Sequence, residues 1–207
     1  NFFGMENGAP IVIEDLLVKI PFAPLVASFL FVSAIAHFSL STFANKWYVK
    51  NLSKGMNPAR WMEYSISSSI MIVLIAFLVG INELSSLILI FTLNATMNLF
   101  GWMMELHNQT TGKTDWTAYI FGCIAGFVPW LVLGIYFFGA ILQSTDAVPT
   151  FVYAIFFVLA AINMVLQYRK KGRWADYLYG ERVYIILSLT AKSALAWMVF
   201  GGVYRFT

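Results

Sequence analysis

The chain has 207 residues, of which 60% are hydrophobic, 17% aromatic and only 11% charged, and its mean hydropathy is +0.75. That composition excludes an ordinary soluble domain, and a formal net charge of +3 gives no support to nucleic-acid binding. The charges gather between apolar runs of about twenty residues, the length that crosses a hydrocarbon core of roughly 30 Å. The expected fold class is therefore an all-α, multi-pass membrane bundle in contact with lipid.

In chain order, residues 1–20 read as an extramembrane loop. Gly4, Gly8 and Pro10 punctuate it, and Ile11-Val12-Ile13 alternates in the manner of an edge strand or β-hairpin. No start Met, charged leader or cleavage site precedes the first apolar run, so the N-terminus reads as that of a fragment lacking a leading element. Residues 21–207 form the predicted bundle, with spans over 21–44, 58–80, 84–107, 115–141, 148–170 and 181–205. Pro21, Pro24, Pro58 and Pro149 stand where spans begin, whereas Pro129 lies inside the fourth and predicts a kink there. Cys123 lies within a span and is the only cysteine, which rules out an intrachain disulfide.

Orientation follows from the basic residues. The loops after spans one, three and five hold ten, namely Lys46, Lys50, Lys54, Arg60, Lys113, Arg169, Lys170, Lys171, Arg173 and Arg182, against two on the other side, Lys19 and Arg205. Short basic loops stay cytoplasmic, so the C-terminus is predicted to be external.

Two charged residues within the apolar runs carry the functional expectation. Lys192 sits roughly eleven residues into the last span, about 16 Å along its axis, near mid-bilayer. An ammonium there needs an anion, a water cavity or covalent neutralisation, so Lys192 is either a lysine that pairs to hold helices together or a Schiff-base amine. Glu63, in the second span, is the predicted partner; the alternative is an interfacial carboxylate paired with Arg60. Ser67 lies four residues after Glu63, where its hydroxyl can donate to the carboxylate, and Ser188 precedes Lys192 by one turn; the alternative for both serines is ordinary small-residue helix packing. His37 is the intramembrane histidine, able to relay a proton or to sit hydrogen-bonded in the core; His107 reads as a helix-end residue. Asn94, Asn98 and Asn163 must find partners inside the bundle, and Glu105 and Glu181 are expected at the interface rather than buried. Met97, Phe127, Trp130, Phe156, Phe157 and Trp197 are candidates to box a rigid apolar ligand, or to pack helices or face lipid. No metal-ligand spacing, nucleophile elbow or phosphate loop occurs, which argues against an enzyme.

The stretches Asn57-Pro-Ala-Arg-Trp-Met-Glu63-Tyr-Ser-Ile-Ser-Ser and Tyr179-Gly-Glu-Arg-Val-Tyr184, leading to Ser188 and Lys192, resemble heliorhodopsins, microbial retinal proteins of inverted membrane orientation. The resemblance runs over essentially the whole chain, and the predicted external C-terminus agrees with it. It implies a seven-helix rhodopsin-like bundle of which helices B to G are visible here. It further implies all-trans retinal on Lys192 as a protonated Schiff base, Glu63 as counterion and His37 in the adjoining polar cluster. Ser67 and Ser188 match family positions hydrogen-bonded around the counterion. Tyr64, Asn94, Met97, Phe127, Trp130 and Phe157 are the expected pocket lining. The implied function is a plasma-membrane light sensor with a slow photocycle and no net pumping, forming a homodimer and addressing a cytoplasmic signalling partner. The alternatives are a light-driven ion or proton transporter, and a retinal-free transporter built on the Lys–Glu pair.

Overall fold

A computed structural model describes residues 2–6, 9–13, 21–143, 159 and 162–205. Strands β1 (Phe2–Glu6) and β2 (Ala9–Ile13) pair antiparallel, from Phe2 opposite Ile13 to Glu6 opposite Ala9. Among the described residues everything else regular is helical: α1 (Phe22–Ser41), α2 (Asn45–Leu52), α3 (Pro58–Leu78), α4 (Leu84–His107), α5 (Thr117–Gln143), α6 (162–168), a 3-10 turn at Gly172–Ala175, and α7 (Tyr177–Arg205). Among the described residues five helices are long and apolar enough to cross a membrane: Ala23–Ser41, Pro58–Leu78, Leu84–His107, Thr117–Gly139 and Tyr177–Phe200. Most of the fifth predicted span, 148–170, lies outside the described residues.

Local chemistry accounts for the helix ends. Asn57 caps α3 by accepting from the Arg60 amide at 3.1 Å, with Pro58 at the first helical position, where a missing N–H is harmless. At the other end, the Gly80 amide reaches the Phe77 carbonyl and the Ile81 amide the Ala76 carbonyl, a paired closure that requires the left-handed φ of +89° at Gly80. The buried Ile81 then anchors the turn. The first span ends at Ser41, earlier than the sequence suggests, and Asn45–Leu52 forms a separate helix with no buried residues. Its lysines, Lys46 and Lys50, belong to an aqueous surface rather than to a continued span. Pro129 is fully buried inside a helix that continues past it. Outside the spans, Glu83 accepts from the Ser85 and Ser86 hydroxyls and Asp115 from the Thr117 hydroxyl and amide; these bonds hold both carboxyls below the usual carboxylate range.

Helix α3 packs against α1 and α4, and α4 against α5. The α3–α4 contact is close because Gly101 has no side chain: a Cβ there would lie 2.4 Å from the Trp61 ring. One layer lower, Asn94 donates to Ser68 at 2.8 Å and to Ser69 at 3.1 Å, while Asn98 donates to Ser68 at 3.1 Å. Such bonds join helices where lipid supplies no alternative partner. The interior divides into two apolar regions with polar layers between them. One contains Phe29, Leu74, Ile81, Leu133, Leu195 and Val199; the other contains Trp61, Met104, Ala118, Met164 and Tyr184 and lies towards the basic loops. Large apolar side chains such as Phe31, Ile88, Phe121, Ile135 and Ile186 face outward, as lipid contact requires.

Candidate functional site

Lys192 on α7 and Glu63 on α3 meet between the two apolar regions. Lys192 Nζ lies 2.6 Å from Glu63 Oε1, and both side chains are buried. The ammonium also donates to Ser33 Oγ on α1 at 2.5 Å, and that hydroxyl donates to Glu63 Oε1 at 2.5 Å. Three helices therefore contribute one group each to a closed triangle, which satisfies a charge pair that would otherwise be prohibitively unfavourable in an apolar interior. The Tyr64 ring lies 5.4 Å below Nζ and its hydroxyl donates to the Tyr184 carbonyl at 3.0 Å, tying α3 to α7 beside the pair.

Two spaces adjoin this triangle. A cavity of about 160 Å³ opens beside Lys192, lined by Tyr64, Ser67, Ser68, Met71, Ile72, Ile75, Asn94, Met97, Asn98, Trp130, Tyr184, Leu187, Ser188, Ala191 and Lys192. Its walls are predominantly apolar, with polar groups from α3, α4 and α7. A second, smaller space of about 40 Å³ lies against Glu63, with His37, Tyr48, Asn57, Arg60, Glu181 and Ser188 on its walls. It is on the scale of one or two waters.

Beyond that smaller space stands a buried ion cluster. Arg60 pairs with Glu105 at 2.6 Å and with Glu181, its guanidinium sits 4.3 Å from the Trp61 ring and 4.0 Å from the Tyr184 ring, and all three ionic groups are buried. The Asn57 amide donates to Glu105 at 2.8 Å and the Asn57 side chain to Glu181 at 2.7 Å; Gln167 adds a bond to Glu181 and Tyr177 one to Glu105. Glu105 and Glu181 are thus not interfacial, as their positions near the ends of apolar runs suggest. Each is drawn inside because Arg60, turned inward from the first turn of α3, supplies the compensating charge. The same pairing removes Arg60 as a partner for Glu63.

The expected site residues divide as follows. Tyr64, Ser67, Asn94, Met97, Trp130, Ser188 and Lys192 converge on the larger cavity, and His37 joins Glu63 on the smaller one. Ser67 does not donate to Glu63. Four residues advance a helix by about 400°, which turns Ser67 towards the cavity, and its buried hydroxyl has no hydrogen-bond partner among the described residues. Ser33 takes the role instead. Phe127 is 59% exposed and Trp197 72% exposed, so both face outward. Phe127 follows the buried Gly126 by one residue and is carried off the inner face of α5. Phe156 and Phe157 lie outside the described residues. Asn163 has its partners, the Gly180 carbonyl and the Trp174 indole N–H, and the helix-end His107 pairs with Asp115 at 3.2 Å.

A family model described as Heliorhodopsin matches residues 2–204. The chain belongs to the heliorhodopsin family. No individual curated protein matches it. As a heliorhodopsin it is a retinal-binding microbial rhodopsin, a multi-pass membrane protein of the photoreceptor type rather than a typical enzyme. Its residues fit that chromophore. A primary amine stands at the wall of an apolar, aromatic-lined cavity, an anion lies on the amine's far side, and the Ser67 hydroxyl on the cavity wall awaits a partner.

Proposed function

We propose that this heliorhodopsin carries all-trans retinal on Lys192 as a protonated Schiff base with Glu63 as counterion, and that it is a light sensor with a slow photocycle and no net ion transport. The observation that carries the reading is the Lys192–Glu63 pair, 2.6 Å apart, with Lys192 on the wall of the apolar cavity and Glu63 on the smaller space behind it. When bound, retinal supplies light absorption and isomerisation. The protein's own groups govern the proton. Glu63 Oε1 and Ser33 Oγ favour a proton on Nζ, since a nearby anion and an accepting hydroxyl both stabilise the cation against burial. Met71, Ile72, Met97 and Trp130 keep the cavity apolar, while Tyr64 and Ser188 border both spaces.

The distribution of polar groups supports sensing over pumping. From Glu63 the next polar groups are His37 and the Arg60 cluster, all towards the basic loops. On the opposite side of Lys192 the described interior is the apolar region around Phe29, Leu74, Leu133 and Leu195. A pump needs proton routes to both faces. The reading also places the protein in the plasma membrane with its C-terminus external, supported by the concentration of basic residues at one end of the bundle.

Borohydride reduction followed by peptide mapping tests the linkage: the adduct is expected on the peptide containing Lys192, and an adduct on any other lysine overturns the assignment. Light-induced pH changes in suspensions of expressing cells test transport. A flat trace from protein with a normal visible band agrees with a sensor, and a sustained change abolished by a protonophore refutes it.

A further inference from the structure

At the basic end of the bundle the loops enclose a third cavity, polar and about 430 Å³, a volume within the usual range of small-molecule sites. Three lysines from three separate segments line it: Lys54 from the turn between α2 and α3, Lys113 from the loop between α4 and α5, and Lys170 from the turn after α6. No carboxylate is among its lining residues; Gln109, Thr111 and Thr114 supply neutral hydrogen-bonding groups instead. Lys170, with a φ of +48°, closes the end of α6, its amide bonding the Gln167 carbonyl and the Lys171 amide the Leu166 carbonyl. Like charges gathered without an acid between them repel one another, and an anion relieves that repulsion.

We infer that this cavity is a binding site for a phosphate-bearing anion, either a soluble phosphorylated small molecule or a phosphomonoester lipid headgroup. Lysines at several angles act as point charges that suit a phosphate's spread oxygens. The site is also wired to the interior. Gln167 lines the cavity and donates to Glu181 at 3.2 Å, and Tyr177 lines it and donates to Glu105 at 3.3 Å. Those carboxylates hold Arg60, which is one turn from Glu63 on α3. A ligand in this cavity therefore sits one hydrogen bond away from the ion cluster.

Titration calorimetry of the purified full chain with inorganic pyrophosphate at fixed ionic strength tests the site. Saturable binding is expected, weakened about tenfold in each of Lys54→Gln, Lys113→Gln and Lys170→Gln, and retained in Lys170→Arg. Lys46→Gln, on α2 and away from the cavity, is expected to leave the affinity unchanged. Circular dichroism of each variant establishes that it is folded. Absence of saturable binding, or equal weakening by Lys46→Gln, overturns the inference, the latter because a diffuse basic surface would then explain the binding. Repeating the titration in phosphatidylcholine vesicles with and without phosphatidic acid separates the sources. Competition by phosphatidic acid identifies a lipid headgroup, and an unchanged pyrophosphate affinity identifies a soluble ligand.

Discussion

Lys192 and Glu63 are 129 residues apart in sequence, yet Nζ and Oε1 lie 2.6 Å apart and share Ser33 as a third partner. Neither charge is tolerable alone at this depth. In the proposed reading the pair is therefore the point at which stability and pigment chemistry meet.

Replacing Glu63 by Gln removes the anion and leaves the cationic nitrogen buried with neutral partners. The pKa of the retinal-linked nitrogen is expected to fall by about 1–3 units, because an opposite charge at this distance favours protonation while burial opposes it. Spectrophotometric pH titration of the visible band measures the shift. An unchanged pKa would assign the counterion elsewhere.

Ser33→Ala is expected to act in the same direction but less strongly, by about one unit, the equivalent of losing one hydrogen bond to a charged group. The same titration checks it. Ser67→Ala, by contrast, is expected to leave that pKa close to its original value, since Ser67 faces the cavity and not Glu63.

Arg60→Leu leaves Glu105 and Glu181 buried without their cation and is expected to destabilise the fold by about 3–5 kcal/mol. Loss of the visible band on heating reports it. Adding Glu105→Gln and Glu181→Gln to the same protein is expected to recover part of the loss, which a simple packing defect would not do.

At Gly101 a methyl group would lie 2.4 Å from the Trp61 ring. Gly101→Ala is expected to destabilise by about 1–3 kcal/mol through overpacking. Because the clash is with one side chain, Trp61→Leu in the same protein should make the added methyl tolerable, and a double-mutant cycle on thermal stability measures that coupling.

The ten-to-two distribution of basic residues predicts that a cysteine placed after Thr207 reacts with an impermeant maleimide in intact cells. Reaction only after lysis would reverse the orientation.

The membrane class and the central pair are legible in the sequence because water-loving groups are so unfavourable in hydrocarbon that a lone Lys or Glu within an apolar run announces itself. Lys192 and Glu63 needed no tertiary information to be paired. Ser33 did: small polar residues recur throughout these helices, and only the approach of α1 to α3 and α7 selects this one. Glu105 and Glu181 stand near the ends of apolar runs, where a buried and an interfacial carboxylate give the same pattern, and the inward turn of Arg60 decides between them. Phe127 and Trp197 show the sharper limit. In a bilayer the lipid is as apolar as the core, so a large aromatic carries no mark of the face it occupies. Which aromatics reached the cavity was decided by the rotation of each helix against its neighbours, through contacts such as Gly101 on Trp61 and Asn94 on Ser68.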